Sequence, residues 1–257
     1  MYDECLVISM SWVVAKQLVL AAVVVYVGLV VFLFFAQSGM TYFPSPGSFN
    51  ECASFSSEEQ VVLNEARLYV SGSSSDYLVV YHGNAGRACD RAHLRRFSNR
   101  TLVILEYPGY GGDERRPSEK RIKAAVEEVA SWLVQRDPSS VVVLGESLGS
   151  ASAAYHSTLA DVDKVLLVSP FEELSQVARH HYGFLPVSWL LREEYPTKQY
   201  LEGFSGEVLV VHGAEDSVIP VWMSESLGDR RVVVEGAGHN DLYSYLPARA
   251  AIEEFLE

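Results

Sequence analysis

Val141 to Ser150 reads Val-Val-Val-Leu-Gly-Glu-Ser-Leu-Gly-Ser: an apolar, β-branched run, a serine flanked by glycines, then helix-forming residues. Such a stretch folds as a buried strand, a tight turn and a helix, and it carries the signature of a nucleophile elbow. The turn demands a strained backbone at Ser147, while Gly145 and Gly149 let strand and helix approach without Cβ clashes. It also aims the first amides of the new helix at charge developing beside the serine hydroxyl.

The same grammar recurs along the chain. Short β-branched runs fall at Ala66 to Val70, Leu78 to His82, Thr101 to Tyr107, Lys164 to Ser169, Val208 to His212 and Arg231 to Glu235. Helical patterns cover Arg87 to Phe97, Ser118 to Gln135, Ser147 to Leu159, Phe171 to His181, Val221 to Leu227 and Leu242 to Leu256. Strands alternating with helices predict an α/β domain over 61–257: a mostly parallel central sheet with helices on both faces. Ligands in such sheets bind beyond the carboxyl ends of the strands.

Ahead of that domain, Leu18 to Ala36 carries no charge and is dominated by Val, Leu, Phe and Ala. As a helix it would span about 28 Å, near the hydrocarbon thickness of a bilayer, which predicts an uncleaved transmembrane anchor over 18–36 after a short segment 1–17. A cleaved signal peptide fits less well, because Phe34 stands where cleavage before Gln37 wants a small residue. Lys16 is the only basic residue near the run on its N-terminal side, and no Lys or Arg follows until Arg67. The positive-inside rule therefore leans toward a single-pass protein with its catalytic domain on the non-cytoplasmic side. Residues 37–60, with Pro44-Ser45-Pro46-Gly47, read as a linker that lies over the domain or holds it off the membrane.

Twenty basic against 33 acidic residues give a net charge of −13, which argues against nucleic acid as a partner and against electrostatic attraction to anionic lipid. Cys5, Cys52 and Cys89 have no metal-ligand spacing and do not build a disulfide framework. Cys52 and Cys89 could pair in an oxidising compartment, but unpaired structural thiols are the expectation adopted.

Four polar turns follow strands. His82-Gly83-Asn84-Ala85-Gly86 can supply half of an oxyanion hole, the N–H of Asn84 joining the N–H of Leu148. Read blandly, it is an ordinary strand-to-helix turn with His82 a satisfied near-core histidine. Tyr107 to Gly111 is a rigid aromatic turn that either walls a pocket or is plain turn chemistry. His212-Gly213-Ala214-Glu215-Asp216 offers an acid, with Asp216 preferred because Glu215 is expected to face solvent. Gly236-Ala237-Gly238-His239 offers a histidine on a flexible loop. The order Ser147, Asp216, His239, each after a strand, is the triad order of one hydrolase architecture.

With these motifs the chain resembles the α/β-hydrolases over about Glu65 to Leu256, and in particular a membrane-anchored branch carrying a His-Gly-Asn-Ala-Gly turn. That branch includes uncharacterised bacterial hydrolases and eukaryotic protein depalmitoylases. The depalmitoylases have a cysteine-rich N-terminus, where this chain has a transmembrane run and only Cys5 before it. The resemblance implies a serine hydrolase acting by acyl transfer without metal or cofactor. Ser147 would be nucleophile, His239 base, Asp216 its orienting acid, Asn84 and Leu148 the oxyanion donors, and Gly83, Gly145 and Gly149 structural supports. A short apolar cap over 171–203 suits an acyl ester or thioester, including one borne by a lipid or lipidated protein. A serine peptidase of the same fold and a catalytically silent, membrane-tethered interaction module are the competing readings.

Overall fold

A computed structural model describes residues 2–257, with side chains from Trp12 onward; Cys5 lies outside the described side chains. Helix α1 (Tyr2–Thr41) is followed by the short strand β1 (Phe43–Pro44) and by β2 (Gln60–Val62), β3 (Arg67–Ser71), β4 (Asp76–Tyr81) and β5 (Ala85–Gly86). Next come β6 (Thr101–Glu106), α2 (Glu119–Val134), β7 (Ser140–Glu146), α3 (Gly149–His156) and β8 (Lys164–Val168). Helices α4 (Leu174–His181) and α5 (Val187–Leu190) lie in the expected cap region and α6 (Thr197–Leu201) packs on α3, before β9 (Glu207–Gly213), β10 (Arg230–Val234) and α7 (Leu246–Leu256).

Eight strands make one sheet in the order β10-β9-β8-β7-β4-β6-β3-β2. All neighbours are parallel except β2 with β3 and β3 with β6. The period-2 alternation of each central strand divides its side chains between two cores. Val79, Tyr81, Val103, Val143 and Leu167 pack with Ile122, Val126 and Val129 of α2 and Ala151 and Ala153 of α3. Leu78, Val80, Ile104, Val142 and Leu166 face Leu94, Ile252 and Phe255 on the other side. Both faces are covered, which is why these strands read as continuous apolar runs.

The structure corrects several expectations. Residues 87–97 form a 3₁₀ segment over Ala88–Phe97 rather than an α-helix, and 221–227 only a 3₁₀ turn over Val221–Ser224, set between Pro220, which has no N–H to donate, and Gly228 at φ 157°. Strand β2 falls within residues read as linker and domain edge.

The stretch 37–60 lies over the domain. Residues 37–41 continue α1, β1 pairs in parallel with β5, and Phe49 and Phe55 pack on Tyr69. Cys52 and Cys89 are disulfide-bonded, with Cα atoms 5.9 Å apart, rather than free thiols as expected. Folding the linker back over the sheet brings together two cysteines that stand 37 positions apart in the chain. A cross-link of that span contributes about 2–4 kcal/mol by restricting the unfolded chain.

Candidate active site

The carboxyl ends of β7, β9 and β10 bring Ser147, Asp216 and His239 together. Ser147 sits at φ 51°, and its N–H donates to Val168 O at 2.8 Å. Left-handed backbone at a non-glycine residue is strained, and here the flanking glycines permit it. A Cβ on Gly145 would lie 2.5 Å from Gly149 O, and one on Gly149 would collide with Tyr81 O. The expected roles of both glycines therefore rest on steric contacts.

Asp216 Oδ2 accepts from His239 Nδ1 at 2.7 Å, and Ser147 Oγ lies 3.1 Å from His239 Nε2. A carboxylate can only accept, so Nδ1 carries the proton and Nε2 is free to accept from the serine hydroxyl. The N–H groups of Val218 and Ile219 donate to Asp216 Oδ1 at 2.9 and 2.8 Å, fixing the carboxylate plane. Burial raises the Asp216 pKa, but hydrogen bonds from His212 and His239, the charge of His239 and the Ile219 N–H outweigh it. The carboxyl is held well below its ordinary range. Asp216 is buried while Glu215 is exposed, as expected from the sequence.

Beside the serine runs the turn after β4. A Cβ on Gly83 would be only 3.5 Å from Ser147 Cβ, so this turn passes directly alongside the hydroxyl. Among the described residues, neither the Asn84 nor the Leu148 N–H donates to a protein acceptor, which leaves both for a ligand oxygen.

The aromatic turn does not wall the pocket. Tyr107 and Tyr110 are buried, and their hydroxyls donate to His82 O and Asn84 O, each at 2.7 Å. They brace the turn that carries the candidate oxyanion donor. A second support was not anticipated: Glu146, next to Ser147, accepts from Arg91 Nε at 2.8 Å and Tyr243 OH at 2.6 Å. An acid inside the elbow was its one visible sign.

His82 itself is fully buried, a near-core histidine as in the bland reading but only half satisfied: Nδ1 donates to Gly83 O at 2.7 Å, while Nε2 has no hydrogen-bond partner among the described residues. Burial, then the nearby Arg91 charge, push its pKa well down, so it is neutral. Its Nε2 faces Glu106 Oε1 at 3.7 Å, beyond hydrogen-bond range. Glu106 is likewise fully buried, and burial pushes its pKa from 4.5 up to about 7 despite the Ala88 N–H and Arg67.

This carboxyl makes stability pH-dependent. Between pH 4.5 and about 7 the folded protein holds a proton that the unfolded chain has released, so stability falls as pH rises through that window. The full difference is about 3 kcal/mol above it. Glu106→Gln is therefore expected to be more stabilising, relative to wild type, at pH 8 than at pH 4.5 by about that amount. Chemical denaturation at the two pH values measures it, and an equal effect at both would contradict the assignment.

A cavity of about 390 Å³ opens onto Ser147. Its walls are almost wholly apolar and include Phe171, Leu174, Leu185, Val187 and Leu190 of the cap region, as the sequence suggested, together with Leu33, Gln37, Met40 and Thr41 of α1, which it did not.

No family model matches the chain. An uncharacterized protein of Mycobacterium tuberculosis is 33% identical over 236 residues, covering 83% of this chain and 84% of that protein. Human alpha/beta hydrolase domain-containing protein 17C is 29% identical over 203 residues, covering 71% of this chain but 59% of that protein. Among solved structures, an esterase of Pyrococcus furiosus superposes with a TM-score of 0.62 at 13% identity, covering 83% of this chain and 98% of that one. The sheet order, the strand-end site and these relatives agree: the chain belongs to the α/β-hydrolase superfamily.

Proposed function

We propose that the protein is a membrane-anchored serine hydrolase that cleaves carboxylic esters or thioesters of acyl groups through a covalent acyl-enzyme. The observation that carries this reading is the relay from Asp216 through His239 to Ser147, at 2.7 and 3.1 Å. In the first half-reaction, Ser147 Oγ attacks the acyl carbonyl carbon while His239 Nε2 takes its proton. The carbonyl oxygen becomes an oxyanion facing the N–H groups of Asn84 and Leu148. Collapse breaks the bond to the alcohol or thiol, which leaves with the proton from His239. Water then attacks the acyl-enzyme with His239 again as base, releasing the acid and restoring Ser147.

The apolar cavity supports an acyl chain as ligand. A peptidase would need a group that grips a peptide N-terminus, and among the described residues the cavity lining holds no carboxylate. A catalytically silent tether has no use for a strained serine aligned on an oriented imidazole.

The segment Trp12–Thr41, a 30-residue helix that contains the uncharged run Leu18 to Ala36, supports membrane anchoring. At about 45 Å it exceeds a hydrocarbon core of about 30 Å, which leaves its last turns free to pack on the domain. The Cys52–Cys89 disulfide supports a domain on the non-cytoplasmic side, where oxidising conditions keep such bonds.

An ester series on the detergent-solubilised protein tests the substrate class. Each buried methylene is worth roughly 0.8 kcal/mol, so kcat/KM should rise about tenfold for two added carbons until the cavity fills. Amides should be cleaved far more slowly, since nitrogen must be protonated to leave. Equal efficiency from acetyl to octanoyl, or a maximum for aminoacyl amides, would favour the peptidase.

A further inference from the structure

Helix α1 is bound to the catalytic domain along one face. Val30, Leu33, Phe34, Gln37 and Thr41 are partly buried at helical spacing, while most of the helix surface is exposed. Tyr26 OH donates to Phe184 O at 3.0 Å, and Gln37 Nε2 donates to Leu190 O at 3.1 Å. Gln37 Oε1 accepts from Arg192 N at 2.9 Å, and the Arg192 guanidinium lies 3.9 Å from the Phe34 ring centroid.

The end of the helix reaches the reaction centre. Asn84 Nδ2 donates to Thr41 O at 2.8 Å, and Phe43 N donates to Asn84 O at 2.8 Å. Next in the chain, Tyr42 OH donates to Glu193 Oε2 at 2.9 Å. The residue proposed to supply an oxyanion donor is thus held in part by the last turn of the apolar helix. From that turn the cavity wall follows α1 back to Leu33, about 12 Å along the axis.

The tip of the cap extends farther. Tyr26 stands about 16 Å up the helix from Gln37, so the Tyr26–Phe184 contact places the cap tip against the uncharged stretch. The tip presents apolar side chains to the outside: Phe184 is 65% exposed and Trp189 87% exposed. Neither lines the cavity. Large exposed apolar side chains contiguous with a helix of membrane-spanning character form a surface suited to lipid.

We propose that α1 is a wall of the substrate pocket as well as an anchor, and that the cap tip seats in the bilayer beside it, so that a membrane-embedded acyl chain passes sideways from lipid into the cavity between α1 and the cap. The ligand is the acyl chain of an ester or thioester resident in the bilayer. This inference rests on the hydrolase reading. It follows that the bilayer supplies the substrate and its leaflet on the domain's side defines the approach. Leu33, halfway between the exposed stretch and Thr41, lies where an entering chain must pass.

Full-length protein in phosphatidylcholine vesicles tests this with two probes: bilayer-partitioned 4-methylumbelliferyl dodecanoate and water-soluble 4-methylumbelliferyl acetate. The readout is the ratio of kcat/KM for the dodecanoyl over the acetyl ester. The double variant Phe184→Asp/Trp189→Asp changes exposed side chains outside the cavity, and the ratio should fall at least tenfold. Leu33→Trp narrows the wall from the α1 side and should lower the ratio independently. An unchanged ratio in both variants, with wild type hydrolysing both esters, would overturn lateral entry and leave the hydrolase reading standing. If the wild type hydrolyses neither ester, the hydrolase reading itself fails, and this inference with it.

Discussion

Asp216→Asn is expected to lower kcat by about 10⁴ while leaving the fold intact. The Val218 and Ile219 N–H groups hold an acceptor oxygen at the Oδ1 position, so the asparagine amide must turn its NH₂ toward His239. Nδ1 of the imidazole must then accept, which moves the ring proton to Nε2, where it faces Ser147 Oγ. An imidazole in that tautomer cannot take the hydroxyl proton. The size of the loss comes from the wrong tautomer and the missing countercharge to imidazolium rather than from lost packing. Turnover of a soluble ester with a parallel thermal melt measures both. Near-wild-type turnover, or a larger loss from Glu215→Gln, would assign the acid elsewhere.

His239→Ala removes the base outright, and kcat should fall by on the order of 10⁵–10⁶, because the serine hydroxyl is a poor nucleophile when nothing accepts its proton. Residues that act as one relay are strongly non-additive. Adding Asp216→Asn to His239→Ala should therefore cost almost nothing more, since the carboxylate acts only through the ring that it holds. Measured rates for the two single variants and the double variant make this a closed cycle. Multiplicative losses would mean that Asp216 acts independently of His239.

Much of this arrangement is legible in the chain because its signals are local. Val141 to Ser150 names a strand, a strained turn and a helix within ten consecutive positions, and the observed φ of Ser147 agrees. The order of serine, acid and histidine, each after a strand, is likewise a one-dimensional pattern, and the sheet brings those strands, β7, β9 and β10, to the same edge of one site with only β8 between the first two. Asp216 over Glu215 was legible as a question of which neighbour turns inward.

Contacts distant in sequence left no such trace. Gln37 meets Leu190 across 153 positions, and nothing in an apolar helix written as an anchor signals that one stripe of it lines a cavity. The Cys52–Cys89 bond required knowing that the linker folds back over the sheet. Tyr107 and Tyr110 could be placed in a rigid turn, but not aimed: their hydroxyls point at the backbone of the neighbouring turn rather than into the pocket. The burial of Glu106, which makes its carboxyl a pH-sensitive element, follows from packing by residues from several elements.

Every step of the proposed reaction depends on an activated Ser147, and one covalent experiment addresses it. A fluorophosphonate reacts with a serine only where a base activates the hydroxyl and donors receive the phosphoryl oxygen, the roles proposed for His239, Asn84 and Leu148. Full-length protein treated with the reagent and digested for peptide mass spectrometry should carry a single adduct on Ser147. The adduct should be absent in Ser147→Ala and strongly slowed in His239→Ala. Equal labelling of wild type and Ser147→Ala, or an adduct on a different serine, would contradict it.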